Sequence, residues 1–211
     1  FNNSAAGSGG ALYANTQAHV VLNSSVLCEA PDAAAACIVM QANHAGSTAG
    51  TGRGGSIAVD SQANVELRGV LLTGGHAGTG GHLLASDTGT QVLLSRSALT
   101  LGESTCSSVG GTLCDSNAAA SGLGGAVAAV AGASVTLQHS SVQQNTAARR
   151  GGGLAGTTGA MIMVHNSTLR HNNAGGFAGC SVSSVGLGTS QSLLVCGGGG
   201  LSLSGASATV R

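Results

Sequence analysis

Lysine and tryptophan are absent from this 211-residue chain, proline occurs once, and only Phe1, Tyr13 and Phe177 are aromatic. Without aromatic side chains to centre it, a core has to be built from small aliphatic residues in many thin layers. Charge is scarce too. Seven Arg stand against three Glu and four Asp, giving a formal net charge of zero. That balance supplies no footprint for nucleic acid or for an anionic membrane surface. No apolar run reaches the length of a membrane helix, so membrane association is expected only through regions outside this segment.

What is abundant is glycine, 37 residues, and serine, 27, beside a hydrophobic fraction of 42% rich in Ala, Val and Leu. So much Gly and Ser without a period would indicate disorder. Here there is a period. A double glycine followed by a short aliphatic segment recurs at Gly9-Gly10, Gly54-Gly55, Gly80-Gly81, Gly124-Gly125, Gly151-Gly152 and Gly199-Gly200. Ten or eleven residues after the second glycine a second segment starts, at Val20, Val65, Val92, Val135, Ile162 and Val210. Its pattern, V-x-L-x-x-[SG]-x-[VAL], alternates as a half-buried strand does. Val65, Leu67, Val135 and Leu137 are therefore expected on one face, with Glu66 and Thr136 on the other. The glycines suit tight corners and close backbone approach.

The steps between second glycines are 45, 26, 44, 27 and 48 residues. Short steps fit one turn of a solenoid, and long steps fit one turn with an insertion. One long and one short step together span 71 residues, twice over, which predicts a two-coil repeat unit. The expected fold is all-β: a right-handed parallel β-helix of about six coils over residues 1–211. It would carry disulfide-closed loop insertions in alternate coils and be cut from a longer extracellular protein. Coils rise about 4.8 Å each, for a rod on the order of 25–30 Å.

The cysteines fall in pairs, Cys28 and Cys37, Cys106 and Cys114, Cys180 and Cys196, one pair for each long coil. Three local disulfides are expected, and with them an oxidising, extracellular compartment. Asn2, Asn23 and Asn166 head sequons. Asn23 and Asn166 lie at nearly the same strand position and are candidate glycosylation sites on a shared outward face. Among the histidines, His76 and His82 are close in sequence, and His139 and His165 hold comparable strand positions. Their spacing demands no metal, and exposed polar positions are expected. Asp60 and Asp87 follow their glycines by five and six residues and could stack in one turn column. Glu66 and Arg68 share a strand face as a surface pair, and Arg149-Arg150 suits a solvated, protease-accessible turn. No phosphate loop or nucleophile elbow occurs, and neither a catalytic residue nor a cofactor is expected.

The motifs GGAL at 9–12 and GGAV at 124–127, with looser GGSI, GGHL and GGGL copies, resemble the polymorphic outer membrane protein repeats of chlamydial type. Those repeats carry GGA[ILV] and FxxN. The second half is represented by VQQN at 142–145 and LRHN at 169–172, with Val or Leu in place of the aromatic residue. The resemblance implies a pectin-lyase-like parallel β-helix, exported and used at a surface. The function it implies is an extracellular structural or adhesive scaffold whose partners are other extracellular proteins, further copies of itself or surface glycans. The alternative is a carbohydrate-active enzyme, which would need carboxylates converging on adjacent coils beside a basic residue. Asp60, Asp87 and His82 are the residues that could serve it.

Overall fold

Short Val-, Leu- and Ala-rich segments between glycine and polar turns form strands, as aliphatic side chains on a pleated surface favour. The structure, a computed structural model, describes residues 3–24, 37–46, 52–104, 122–175 and 199–211. No helix occurs among the described residues. Four parallel sheets account for the strands. Sheet A stacks Ser4–Ala5, His44–Ala45, His76–Ala77, Glu103–Ser104, Thr146–Ala147 and Asn173–Ala174. Sheet B stacks Leu12–Ala14, Ile57–Val59, Leu83–Ser86, Val127–Val130, Leu154–Thr157 and Leu201–Ser204. Sheet C stacks His19–Asn23, Asn64–Arg68, Gln91–Ser95, Ser134–Gln138, Met161–His165 and Ser207–Val210. Sheet D stacks Ile38–Gln41, Val70–Thr73, Ala98–Thr100, Ser141–Gln143 and Thr168–Arg170. The chain visits A, B, C and D in turn and then rejoins A one strand further on. That order is compatible with a β-helix or related solenoid.

Sheet C alternates as its sequence demands. Val65, Leu67, Val92, Leu94, Val135, Leu137, Ile162 and Val164 are buried, while Glu66 is exposed and Thr136 half-buried. These residues meet Ile57, Val59, Leu83, Val127 and Leu154 from sheet B, and Val70, Leu72, Leu99 and Val142 from sheet D, in one aliphatic core. Sheet B departs from simple alternation. Its outward residues Ala58, Leu84, Ala128 and Ala155 are buried as well as its inward ones.

The five double glycines from Gly9-Gly10 to Gly151-Gly152 each have two separate steric reasons, whereas Gly200 has open space around it. Gly80 has φ +63°, and a Cβ there would fall on the carbonyl oxygen of Leu83. Gly81 has no such dihedral, but its Cβ would fall on the carbonyl of Gly125 in the next layer. The first glycine makes the corner and the second lets the layers approach, so any side chain at either would force the stack apart.

The inside of the corners carries polar side chains that bond from layer to layer. Ser97, Ser140 and Ser167 form one ladder: the hydroxyl of each accepts the backbone N–H of the residue in the preceding layer, namely Val70, Ser97 and Ser140. Asn145 and Asn172 belong to a second ladder. The Asn172 side-chain oxygen accepts from Asn145 N at 3.1 Å, and that of Asn145 accepts from Gly102 N at 2.8 Å. The Ser of the strand motif and the Asn of the FxxN-like motif are thus internal ties between layers.

The register corrects four expectations. The sixth copy of the sheet C strand aligns Ala208, not Val210, with Ile162; Val210 pairs with Val164. Two one-residue offsets add up: Leu201 pairs with Leu154 and so places Gly199, not Gly200, opposite Gly152, and the turn from Ser204 to Ser207 is one residue shorter than that from Thr157 to Met161. Asp87 does not stack on Asp60. The turn after Ala85 is one residue longer than the turn after Val59, and Ser86 takes the place beside Asp60. His165 pairs with Gln138, which sets His139 one position away. Finally, the cysteine-bearing segments are not equivalent. Residues 25–36 lie between strands of sheets C and D, whereas 105–121 and 176–198 lie between strands of sheets A and B. The two 71-residue spans therefore agree in length without agreeing in where they are extended, and the repeat unit is the four-strand circuit.

Candidate functional site

The outward face of sheet C is where polar side chains gather without partners. Across neighbouring strands the register lines up Asn64, Gln91 and Ser134 in one row, and Glu66, Leu93, Thr136 and Met163 in the next. Ser95, Gln138 and His165 form a third row. These rows bound a shallow open groove of about 350 Å³ lined by Asn64, Glu66, Gln91, Ser134, Thr136, Gln138 and His165, with Val92, Leu93 and Met163 between them. A second depression of about 280 Å³ continues round the adjoining corner, lined by His139, Ser140, Ser141, Asn166, Thr168 and Arg170. None of the seven polar side chains of the groove hydrogen-bonds to another described residue. The interior serines and asparagines are tied down, whereas these amides and hydroxyls remain available to a ligand. The signal for them in the sequence was positional: they are the outward residues of the V-x-L strand, which a search for catalytic residues passes over.

The residues nominated for an enzyme are not brought together. The Asp60 carboxylate, buried on the outer side of sheet B, accepts from the Tyr13 hydroxyl at 3.0 Å and lies 3.8 Å from the Arg53 guanidinium. Arg53 also donates to the Ser86 hydroxyl at 2.6 Å. This clasp was not foreseen, since Tyr13 and Arg53 lie more than forty and seven residues from Asp60 respectively and carry no motif. Asp87 sits in the exposed turn and accepts from Ser61 N at 3.3 Å. His82, expected at an exposed position, is fully buried, and Nε2 lies 2.8 Å from the carbonyl of Thr100. Burial lowers its pKa from 6.5 to about 4, against the opposing effect of that hydrogen bond.

His76 stacks on His44, ring centroids 4.8 Å apart and planes 10° from parallel, with Glu103 next along the same row. Burial lowers the His76 pKa; Glu103 opposes this and His44 adds to it. Parallel rings point their lone pairs side by side rather than at a common centre, and among the described residues no three His, Cys, Asp or Glu side chains could hold a metal ion. Glu66 and Arg68 are both exposed, and the ion pair found among the described residues is Arg53–Asp60 instead. Arg149 is not in a solvated turn. It is buried, and its N–H and that of Arg150 both bond to the carbonyl of Gly122.

Asn23 and Asn166 are both exposed. They are not in one row: Asn23 aligns with Arg68, while Asn166 follows His165 at a corner with φ +47°. Asn2 lies outside the described residues, as do Cys28, Cys106, Cys114, Cys180 and Cys196. Cys37 is half-buried at the head of the segment 37–46.

The comparisons are silent. No family model matches the chain, and neither a curated protein nor a solved structure does.

Proposed function

We propose that this chain is a rigid extracellular scaffold that presents the outward face of sheet C to a partner. The proposed architecture is a right-handed parallel β-helix of six coils, its long loops closed by the local disulfides Cys28–Cys37, Cys106–Cys114 and Cys180–Cys196, in the manner of the polymorphic outer membrane protein repeats it resembles. The partners we propose are surface glycans, other extracellular proteins or further copies of the chain. Asn23 and Asn166 are the proposed glycan carriers.

One observation carries the reading. Polar side chains inside the stack are bonded between layers, whereas those lining the sheet C groove are not. A set of amides and hydroxyls on a stiff sheet can form several hydrogen bonds to a partner with little ordering cost. Nothing comparable favours catalysis, because Asp60, Asp87 and His82 stand in three separate environments.

Binding by the whole protein to an immobilised panel of glycans and extracellular matrix proteins, and to itself, tests the proposal. Gln91→Ala with Gln138→Ala should reduce the retained signal at least about fivefold, which corresponds to about 1 kcal/mol, with the far-UV circular dichroism unchanged. Binding indifferent to both changes, or turnover of a polyuronate by the purified chain, would overturn it.

A further inference from the structure

The asparagine ladder has a gap, and the gap is filled by a histidine from another strand. The register places Asn3, Asn43, Gly75, Gly102, Asn145 and Asn172 at one corner position in successive layers. Where asparagine is present, its carboxamide ties the layers together, Asn145 Oδ1 accepting from Gly102 N at 2.8 Å, and it also braces its own layer, Nδ2 donating to the carbonyl of Gln143, two residues earlier, at 2.9 Å. The two middle layers have glycine instead. A Cβ on Gly75 would run into His82 Nδ1 and the carbonyl oxygen of Gly81, and a Cβ on Gly102 into His82 Cδ2 and Nε2 and the carbonyl oxygen of Gly125. The imidazole therefore occupies the room of both missing carboxamides. Nε2 reaches the carbonyl of Thr100, two residues before Gly102, and so makes the bond an asparagine at 102 would have made.

Because a carbonyl only accepts, Nε2 carries the proton of the neutral ring and Nδ1 is bare. Nδ1 is buried and has no partner. Protonating it would place a charged ring in the interior with a donor that nothing accepts. The surroundings offer no compensation. Ser56 and Ala126 flank His82 in register, and Gly75, Gly102 and Thr100 pack on the ring. All are uncharged. The ionisable neighbours are His76 and Glu103, each one residue beyond a ladder glycine, on the outward row of sheet A.

We propose that His82 is an acid-labile plug: protonation expels its ring from the asparagine ladder and opens the middle layers of the stack while the layers tied by Asn145 and Asn172 hold. The sign follows from linkage. The open form binds a proton at the ordinary 6.5, the closed form only near 4. The closed state is thus fully favoured above pH 6.5 and loses about tenfold for each pH unit below it, until the loss levels off near pH 4.

Amide hydrogen exchange of the whole protein, expressed as protection factors from about pH 7 to about pH 4, tests this. Protection of Gly75–Ala77, Leu83–Ser86 and Glu103–Ser104 should fall by on the order of a hundredfold, with little change at Ser134–Gln138 and Met161–His165. The His82 ring, followed by NMR in the same samples, should titrate well below 6.5 and change together with those amides. His82→Ser, the residue found at 56 in the flanking layer, should abolish the selective loss even if its protection is lower at every pH. A His82 ring that titrates near 6.5, protection that falls equally in all layers, or a His82→Ser protein with the same selective loss would overturn the proposal. Should that variant fail to fold, the ring titration and the layer-by-layer protection of the unmodified protein decide alone.

Discussion

Asn145 is the residue on which the ladder reading is most exposed to refutation. Its side chain is fully buried, and each polar atom is engaged. Oδ1 accepts from Gly102 N at 2.8 Å, while Nδ2 donates to Leu99 O at 3.2 Å, Gln143 O at 2.9 Å and Asn172 Oδ1 at 2.9 Å. Asn145→Ala removes all of these at once. The Gly102 N–H left without an acceptor costs about 1–3 kcal/mol, and the two bonds that the two Nδ2 hydrogens share among three acceptors add about 1 kcal/mol each. A loss of about 3–5 kcal/mol is expected, a large part of the stability of an ordinary domain. Asn145→Asp sharpens the test, because the shape is kept and the chemistry reversed. At neutral pH it sets a carboxylate against three oxygen atoms that need donors, which raises its folded pKa. Its stability should therefore rise as the pH falls from neutral through that raised value, since the protonated acid recovers one donor. Guanidinium unfolding followed by far-UV circular dichroism gives both quantities. A midpoint for Asn145→Ala within about 1 kcal/mol of the parent, or an Asn145→Asp protein no better at acid pH, would show that the ladder does not hold the layers together.

Three further outcomes follow from the same structure. Gly81→Ala should disrupt folding, since its Cβ meets the carbonyl of Gly125, whereas Gly200→Ala, with nothing within 4 Å, should shift stability by less than about 0.5 kcal/mol; thermal melts compare the two. Tyr13→Phe removes a half-exposed bond to Asp60 and should cost under about 1 kcal/mol in the same melts; a larger loss would mark the Asp60 clasp as a structural keystone. Non-reducing peptide mapping should find Cys37 linked to Cys28, and a link from Cys37 to any other cysteine would sink the local-disulfide scheme.

The strands were legible because their cause is local. The alternation of Val65, Leu67, Val135 and Leu137 follows from the two-residue period of a pleated strand, and the double glycines flagged the corners. Register was legible only where the turns kept one length. A single added residue after Ala85 moved Asp87 out of its expected column, and the glycine run before Leu201 together with a turn one residue shorter after Ser204 displaced the last copy. What was not legible depended on who meets whom across layers. No local pattern indicates that Gly75 and Gly102 are ladder positions, so His82 looked like a surface histidine. Nor does any pattern bring Tyr13 and Arg53 to Asp60, or bury Arg149. The groove residues were visible as outward positions but indistinguishable from other polar residues until the inner ladders were seen to have used theirs.

That contrast bears on how a chain with so little charge and almost no aromatic surface keeps a defined register. A stack of small aliphatic residues is permissive of a slip by two residues, which keeps the inward face inward and exchanges Val for Leu at modest cost in area. Serine and asparagine inside the corners are not permissive, because a slip leaves Gly102 N, Val70 N or Leu99 O facing a carbon. Specificity therefore resides in the buried polar rungs, and the aliphatic core supplies the general drive to collapse. The outward face of sheet C is relieved of any part in this. Its residues can change without loosening a layer, so the binding proposed for it can vary while the stacked sheets stay the same. Replacing Gln91 or Gln138 should thus alter binding without moving the unfolding midpoint, and replacing Asn145 should do the reverse.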